Sequence, residues 1–388
     1  MVTYGADHIA EHAGLLSDGR VALLTSVTGR TSANEATIDV LGRMCRLTAL
    51  LGPEHGVRGD QAAGALTADY RDPATGLPVF SLYSAAGKRL RRSILDEFDI
   101  LVYDIQDVGL RFYTFLSTLC NMVEDCAANR KRLVVLDRPN PLGGETVEGG
   151  ILQEAYRSFV GCRPVPVRYG LTAGEFARMV NEREHLGCDL HIVPCGGWQG
   201  EPFPSWGHIW QMPSLGLPTF EGTALYAGTC IFEGTALSEG RGTAAPFRII
   251  GGPGMDGERL VKEFTALRLP GVAATPVYFA PTASKHQGVP CGGLMLHVTD
   301  FDTLRPVALG VELLDLFQRL YPEQSAFLPP VEPEKRPFIS LLTGCGDFAA
   351  GWDKGAVLER YERESAVFAS EKASWHLYER KPAASAGH

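Results

Sequence analysis

Three short apolar segments of the sequence each run into a cluster of charged residues. LTALLG, from Leu47, is followed by PEHGVRG; DILVYDIQ, from Asp99, is followed by DVGLRFY; and RLVVL, from Arg132, is followed by DRPNP. Each cluster places a carboxylic acid within a few residues of an arginine. Carboxylic acids transfer protons in hydrolytic reactions, and arginines bind anions through paired hydrogen bonds. The pattern therefore predicts one polar site that supports acid–base chemistry.

Glu54 is the strongest candidate for a proton donor. It lies between Pro53 and His55, directly after an apolar segment, where partial burial is expected. A general acid needs the raised pKa that burial gives a carboxyl group. His55 is open to two interpretations: a second proton carrier, or a histidine with a structural partner.

The acids of the other two clusters also have two interpretations. A carboxylate beside an arginine normally has a lowered pKa, which does not suit a general acid. Asp107 and Asp137 therefore either orient Arg111 and Arg138 or take part in the chemistry themselves.

Residues 196–257 form a long stretch rich in glycine, proline and aromatic residues, which predicts a functional loop region. Trp198, Trp206 and Trp210 fall within 13 residues of each other, and they either line a sugar site or form a local hydrophobic cluster. Further on, EGTALSEGRGT, from Glu233, places acids, hydroxyls and an arginine between glycines, as expected for the wall of a site.

Hydrophobic periodicity predicts the elements that position these clusters. Strands are expected at 21–26, 47–51, 100–105, 133–136, 276–280 and 293–298, and helices at 34–44, 114–128, 172–184, 257–267, 306–320 and within 357–378. The third helix opens with a capping box formed by Thr172 and Glu175. Apolar strands that alternate with helices are typical of a parallel sheet covered on both faces, whose strand ends bind ligands.

The predicted fold is therefore α/β. Residues 1–248 are expected to form a Rossmann-like parallel-sheet domain that carries the catalytic groups, and residues 249–388 a smaller α+β domain that closes the cleft.

The composition excludes several classes of protein. The 388 residues carry 36 Lys and Arg against 45 Asp and Glu, a net charge of -9, without a basic run, so no nucleic acid partner is expected. No apolar stretch approaches the ~20 residues that cross a bilayer, so no membrane association is expected. The first residues lack the features of a signal peptide, which predicts a cytoplasmic protein, or a periplasmic or secreted one if a signal has been removed. Nine separate cysteines predict buried, reduced thiols.

Two other functions stay open. The segment GPGMDG, from Gly252, follows an apolar run and precedes a predicted helix, as the phosphate loop of a dinucleotide-dependent oxidoreductase does. A non-catalytic protein that binds acidic sugars would use the same polar clusters. Metal-ligand and nucleophile motifs are missing from the sequence, so neither a metal nor a cofactor is expected.

Six motifs together resemble the NamZ-type exo-β-N-acetylmuramidases, a bacterial family formerly known as a domain of unknown function. The resemblance runs in order over nearly the whole chain. Its motifs are GPEHGVRGD from Gly52, YDIQDVGLRFYT from Tyr103, LDRPNPLGG from Leu136, VPVRYGLTAGE from Val165, CIFEGTALSEGRGTAAPF from Cys230 and SKHQGVPCGG from Ser284.

The resemblance implies a Rossmann-like domain, a smaller C-terminal domain and an active-site cleft between them. It implies an exo-acting glycoside hydrolase that releases N-acetylmuramic acid, or a related acidic or N-acetylated sugar, from the non-reducing end of peptidoglycan fragments, with Glu54 as the catalytic acid. Glycoside hydrolysis also needs a second group. The candidates are Glu239, Asp107, Asp137 and the acetamido group of the substrate, with His55 as a further proton carrier.

N-acetylmuramic acid carries a lactyl carboxylate, which an acidic protein would bind through individual arginines. The candidates for this contact are Arg58, Arg111, Arg138 and Arg241. The other expected substrate-binding residues are Tyr113, Asp137, Asn140, Ser238 and Trp210.

The chain departs from the family pattern at two places. A PSPN-x-P stretch is replaced by PSLGLP from Pro213, and Ala236 replaces an asparagine. Both departures remove an amide side chain from the presumed wall of the site and bear on the choice of sugar.

Overall fold

The computed structural model describes residues 1–59, 64–85, 87–348 and 351–381. Its first sheet contains the strands β1 Val21–Thr25, β2 Leu47–Gly52, β3 Tyr70–Arg71, β4 Pro78–Ser81, β5 Ile100–Asp104, β6 Arg132–Leu136 and β7 Asp189–Val193. Their order is β3-β4-β2-β1-β5-β6-β7, and all neighbours are parallel except β3 and β4. The predicted parallel sheet is confirmed.

The four strands predicted for this sheet agree with the structure to within one residue at each end. The strands β3, β4 and β7 were not predicted from the sequence. β3 has only two residues, and β7 is partly exposed and starts with the polar residue Asp189, so neither has the continuous apolar run of a buried parallel strand.

The helices are α1 Gly5–His8, α2 Thr37–Met44, α3 Arg92–Leu95, α4 Thr114–Ala128, α5 Ala173–Arg183, α6 Phe220–Thr229, α7 Gly257–Ala266, α8 Pro306–Leu320, α9 Phe338–Thr343 and α10 Lys354–Glu371. Short 3-10 turns occupy Ile9–Leu16, Glu154–Tyr156, Phe203–Ser205, Cys230–Gly234 and Lys372–Trp375. The capping box predicted for α5 is present: Thr172 Oγ1 accepts from Glu175 N, and Glu175 Oε2 accepts from Thr172 N.

Alternate side chains of each strand bury against opposite layers of helices. On one face, Val21 and Leu23 pack in a cluster with Leu41 of α2. On the other face, Ala22 and Leu24 belong to the cluster that contains α4 and α5. Because both faces are covered, the central strands are apolar at nearly every position, which made them recognisable in the sequence.

A second, three-stranded sheet contains β8 Ile249–Gly252, β9 Val272–Phe279 and β10 Cys291–Val298, with β10 in the middle and antiparallel to both neighbours. The smaller α+β unit is therefore confirmed. Asp256, in the suspected phosphate loop, caps α7 by accepting from Glu258 N and Arg259 N. The dinucleotide interpretation was wrong, because it requires the two strands joined by the helix to be parallel neighbours, whereas β10 lies between β8 and β9 and is antiparallel to both.

The prediction of a loop region without regular structure over residues 196–257 was also wrong, since this region contains α6. Nine of the ten residues of α6 are buried, so the helix lacks the polar face that produces a 3.6-residue period. Gly228 of α6 lies against α8, where a Cβ atom would come within 1.7 Å of the Pro306 carbonyl oxygen.

None of the nine cysteines forms a disulfide bond, and all are buried except Cys45, which is partly exposed. The described part of the chain contains no helix that is long and apolar enough to span a membrane.

We expect Gly228→Ala to lower the free energy of unfolding by about 3 kcal/mol, because the added methyl group must push α6 away from α8. The measurement is urea unfolding followed by circular dichroism. Gly42→Ala is the matched control, since Gly42 lies in α2 with open space around its Cβ position, and it should stabilise the protein by about 0.5–1 kcal/mol. Equal effects of the two substitutions would contradict the tight α6–α8 contact.

Candidate active site

A cleft of about 530 Å³ lies at the carboxyl ends of β2 and β5 and is closed by segments from the second half of the chain. Its volume is in the range of sites for small ligands. Its walls are formed by Glu54, His55, Gly64, Tyr83, Lys88, Phe112, Tyr113, Thr114, Phe159, Val160, Ser214, Leu217, Tyr226, Glu233, Arg241, Phe247, Ser284, Phe338 and Leu342. Four of the residues predicted for the site thus meet there: Glu54, His55, Tyr113 and Arg241.

Glu54 is held in the cleft by two different elements. Its Oε1 accepts a hydrogen bond from the Gly64 backbone N at 2.8 Å, and its Oε2 accepts one from Thr114 Oγ1 at 2.6 Å. Thr114 is the first residue of α4, so the carboxyl group that follows β2 is fixed by the helix that follows β5. Only 8% of Glu54 is exposed.

His55 occupies the tight turn after Glu54. Its φ of 74° lies in the left-handed region, which residues other than glycine adopt infrequently and mainly where the surrounding structure imposes it. The Gly56 N–H bonds to the Pro53 carbonyl at 3.0 Å and closes the turn, and the His55 ring meets the Phe115 ring edge-on at 6.3 Å. This turn directs the side chains of Glu54 and His55 into the same cleft.

Tyr113 lies between the two halves of the cleft. Its ring packs edge-on against Phe115 at 4.8 Å. Burial raises the pKa of Tyr113; the charge of Glu54 raises it further and the charge of Arg241 lowers it. The hydroxyl group is therefore within electrostatic reach of both charged groups.

Arg241 and Glu233 form an ion pair in the opposite wall, with Arg241 Nε 2.7 Å from Glu233 Oε1. Burial raises the pKa of Glu233, and Arg241 partly offsets this. Glu239 lies behind the pair, 3.7 Å from Arg241 Nε and 2.7 Å from Lys285 Nζ, with its side chain 2% exposed.

Ser238 is buried in the same segment and bonds to backbone groups of its own loop, with its Oγ accepting from Gly240 N. Neither Ser238 nor Glu239 is among the residues that line the cleft. Both shape the loop that carries Arg241.

Three groups that line the cleft, Tyr83, Lys88 and Glu233, were not predicted as site residues from the sequence. The Lys88 ammonium group lies 3.7 Å from the centre of the Phe159 ring and 4.3 Å from that of Tyr83. Glu233 was noted only as part of a polar loop. Tyr83 and Lys88 follow β4, which ends at Ser81, but that strand was not predicted from the sequence, so no sequence signal distinguished them from surface residues.

Asp107 lies behind the wall of the cleft. It accepts hydrogen bonds from the Tyr169 hydroxyl group and from Gly109 N, and burial raises its pKa to about 6. Its expected catalytic role conflicts with this position, because buried protein groups surround the carboxylate where a substrate would have to reach it.

The expectation that Asp107 and Asp137 orient the neighbouring arginines was wrong. Arg138 pairs with Asp104 instead, at 2.6 Å, and both side chains are almost fully buried. Arg111 is fully buried and donates only to backbone carbonyl groups. After the end of a strand, the side chains of successive residues point in different directions. An acid and an arginine that are neighbours in the sequence therefore do not have to form an ion pair.

Arg58 also lies outside the cleft lining and forms a forked ion pair with the buried carboxylate of Asp72. Arg58, Arg111 and Arg138 therefore have structural partners in place of the expected substrate contact.

Asp137 and Asn140 hold the backbone around the end of β6. Asp137 accepts from Thr172 Oγ1 at 2.6 Å, Gly174 N at 2.7 Å and the Tyr378 hydroxyl at 2.5 Å. Asn140 Nδ2 donates to the Leu171 carbonyl. Substrate contact was expected for both, but buried neighbours surround each of them.

Of the two interpretations of the tryptophans, a sugar site or a local hydrophobic cluster, the structure shows the second. Trp210 packs against Phe203 and Phe220, and its Nε1 donates to the Leu217 carbonyl at 3.2 Å. Trp210 therefore supports Leu217, which lines the cleft. Trp210 itself is not part of the lining.

Comparison with known proteins identifies the family. Profiles described as exo-β-N-acetylmuramidase NamZ, N-terminal and C-terminal, match residues 21–221 and 224–378. The chain belongs to the NamZ family. It is 38% identical over 370 residues to the peptidoglycan β-N-acetylmuramidase NamZ of Bacillus subtilis (strain 168), which covers 94% of this chain and 88% of that protein.

Two solved structures of DUF1343 family proteins from Bacteroides fragilis share the fold of this NamZ family member. One is 31% identical with a TM-score of 0.88 and covers 97% of this chain and 99% of that one. The other is 28% identical with a TM-score of 0.76 and covers 98% and 100%. The predicted domain boundary after residue 248 stays a prediction.

We expect Asp107 and Asp137 to lower the free energy of unfolding as the pH rises from 4 to 6, against the opposite contribution of His376, whose pKa burial lowers to about 4. Burial raises the pKa of both Asp107 and Asp137 to about 6, above the value of about 3.9 in the unfolded chain. Their contribution to stability is therefore complete below about pH 4 and is lost as the pH rises through 6. Urea unfolding at pH 4, 5, 6 and 7 measures this dependence, and Asp107→Asn should flatten it.

Asp99→Asn is the matched control for this pH dependence. Hydrogen bonds from Arg20 lower the pKa of Asp99 to about 2, so its contribution is lost as the pH falls from 4 to 2. This variant should keep the slope between pH 4 and 6. A slope that persists in Asp107→Asn and disappears in Asp99→Asn would contradict the assignment.

Proposed function

We propose that the protein is an exo-acting β-N-acetylmuramidase that releases N-acetylmuramic acid from the non-reducing end of peptidoglycan fragments, with Glu54 as the proton donor. The observation that carries this proposal is the position of Glu54. A carboxyl group that is 8% exposed reaches a cleft of small-ligand size, and each of its oxygens has its own hydrogen-bond partner. Membership of the NamZ family supports the choice of substrate.

The walls of the cleft suit a sugar. Aromatic rings pack on the apolar faces of pyranose rings. The lining residues of the cleft include seven such rings, from Tyr83, Phe112, Tyr113, Phe159, Tyr226, Phe247 and Phe338. A cavity of about 530 Å³ also fits the end of a glycan better than an extended stretch of it, which supports an exo mode of action.

The hydrogen bonds around Glu54 assign the transferred proton to one oxygen. The Gly64 N–H can only donate, so Oε1 has to remain an acceptor in both protonation states. The Thr114 hydroxyl group can donate to an ionised Oε2 and, after rotating, accept from a protonated Oε2. Oε2 is therefore the oxygen that carries the proton: its O–H turns from Thr114 to the glycosidic oxygen for the transfer, and Thr114 donates to the ionised Oε2 afterwards.

Two candidates for the second group fit the geometry. Asp107 and Asp137 are enclosed by protein partners, and Glu239 is tied to Lys285 behind the wall. Glu233 faces the cleft, and the acetamido group of the substrate would be present in the bound sugar. An inverted product favours Glu233 as the base that activates water, whereas a retained product whose formation survives Glu233→Gln favours the acetamido group.

Glu54→Gln should lower turnover by at least about a hundredfold, because glutamine keeps the acceptor for Gly64 N but has no proton to transfer. The measurement is hydrolysis of a chromogenic β-N-acetylmuramide, with thermal unfolding as a check of the fold. Glu11→Gln, at an exposed position, is the matched control and should leave turnover unchanged. Turnover close to that of the unaltered protein in Glu54→Gln would rule out Glu54 as the proton donor.

Incubation with a muramyl disaccharide should release free N-acetylmuramic acid, identified by mass spectrometry, with its anomer determined by nuclear magnetic resonance. A non-catalytic sugar-binding protein is the second candidate, since the same cleft would serve it. Thermal stabilisation by N-acetylmuramic acid without any hydrolysis would favour that candidate and reject the enzymatic one.

A further inference from the structure

The structure distinguishes between the four arginines that could bind an anionic group of the substrate. Arg58 uses Nε and Nη2 on Asp72, at 2.8–3.1 Å. Arg138 uses Nε on Asp104 and Nη2 on the Arg30 carbonyl, both at 2.6 Å. Neither side chain lines the cleft.

Both terminal amino groups of Arg111 are also bound by the protein. Its Nη1 donates to the carbonyls of Gly150 and Val165 at 2.7 and 2.8 Å, and its Nη2 donates to those of Leu342 and Thr343 at 3.0 and 2.8 Å. With no exposed surface, Arg111 has no access to a ligand.

Arg241 differs from the other three in position and in bonding. It lines the cleft, and 27% of its side chain is exposed. Its bond to Glu233 uses only Nε, so the guanidinium group is held from one side while both terminal amino groups stay available within the described part of the chain. Its guanidinium carbon lies 4.9 Å from the centre of the Phe247 ring, which fixes the plane of the group.

Gly216 keeps one side of Arg241 open. A Cβ atom at this position would lie 2.9 Å from Arg241 Nη1. Gly216 is the residue that replaces the asparagine of the PSPN-x-P pattern. The replacement therefore removes a side chain next to the terminal amino groups of Arg241, where a ligand would bind.

We infer that Arg241 binds the lactyl carboxylate of N-acetylmuramic acid through Nη1 and Nη2, with Glu233 as the residue that orients it. The inference rests on the proposed function for the identity of the sugar. A guanidinium group with two adjacent free amino groups matches the two oxygens of a carboxylate in a forked pair. Arg241 thus distinguishes N-acetylmuramic acid from N-acetylglucosamine, which lacks the lactyl group.

Lys88 is the rival cation in the cleft. Its ammonium group lies over the rings of Phe159 and Tyr83, and burial lowers its pKa while the charge of Glu54 raises it. It therefore lies near the proposed proton donor and is already engaged by two aromatic faces. A single ammonium point charge also lacks the forked geometry that recognises a carboxylate.

The test is calorimetric titration with N-acetylmuramic acid and with its lactyl methyl ester, which has one more methyl group and no charge. Esterification should weaken binding to the unaltered protein by about a hundredfold, as expected for the loss of a charge-assisted pair. Arg241→Met should bind the acid about a hundredfold more weakly and should no longer distinguish acid from ester. Lys88→Met is the matched control. It should distinguish the acid from the ester as strongly as the unaltered protein does.

A second variant keeps the test informative if the single substitution prevents folding. Arg241→Met leaves the Glu233 carboxylate without its partner, which can destabilise the loop. The double variant with Glu233→Gln removes both charges and should also fail to distinguish acid from ester. The inference is overturned if the folded Arg241 variants keep the preference for the acid, or if Lys88→Met alone abolishes it.

These measurements are independent of turnover. Absence of hydrolysis by the unaltered protein would reject the proposed function, while a preference for the acid that depends on Arg241 would still support the inference. Hydrolysis with a preference that does not depend on Arg241 would support the function and reject the inference.

Discussion

The buried guanidinium group of Arg111 connects the two halves of the molecule beneath the cleft. Two of its acceptors, Gly150 and Val165, lie between β6 and β7 of the first sheet, and the other two are the last carbonyls of α9. Those carbonyls carry the partial negative charge of a helix C-terminus, which favours a cation. Burial lowers the pKa of Arg111 to about 10, so the group still carries its charge at neutral pH. Since α9 supplies Phe338 and Leu342 to the cleft, the shape of the cleft depends on this contact.

The C-terminal segment closes the part of the sheet edge that the cleft does not use. Residues 371–381 run back over the first domain, where Tyr378 bonds to Asp137 and Arg380 bonds to the fully buried Glu175. The ends of β2 and β5 therefore face the cleft, whereas the end of β6 is covered by protein. This division explains why acids at equivalent strand ends have different roles. Glu54 reaches the cleft, while Asp137 anchors the C-terminal segment.

The parts of the fold that depend on local pattern could be predicted from the sequence, and the parts that depend on long-range contacts could not. The buried strands β1, β2, β5 and β6 have apolar runs, and α5 has its capping box. The helix α6 has neither signal, since nine of its ten residues are buried and it has no polar face. For the site, strand ends and motifs identified Glu54 and Arg241. The partners of Arg111 lie up to 232 residues away along the chain, so no spacing rule could reveal that it ties two domains together.

The charges of the cleft connect sugar recognition with proton transfer. Among the described residues that line it, Glu54 and Glu233 carry negative charge, and Lys88 and Arg241 carry positive charge, so their formal charges cancel. A bound lactyl carboxylate would make the sum negative. Each added negative charge in a partly buried site opposes the ionisation of the acids around it. An anionic sugar would therefore change the charge balance of the cleft, whereas a neutral sugar of the same shape would not. The proposed recognition of the sugar and the proposed proton transfer would in this way depend on the charges of one cleft.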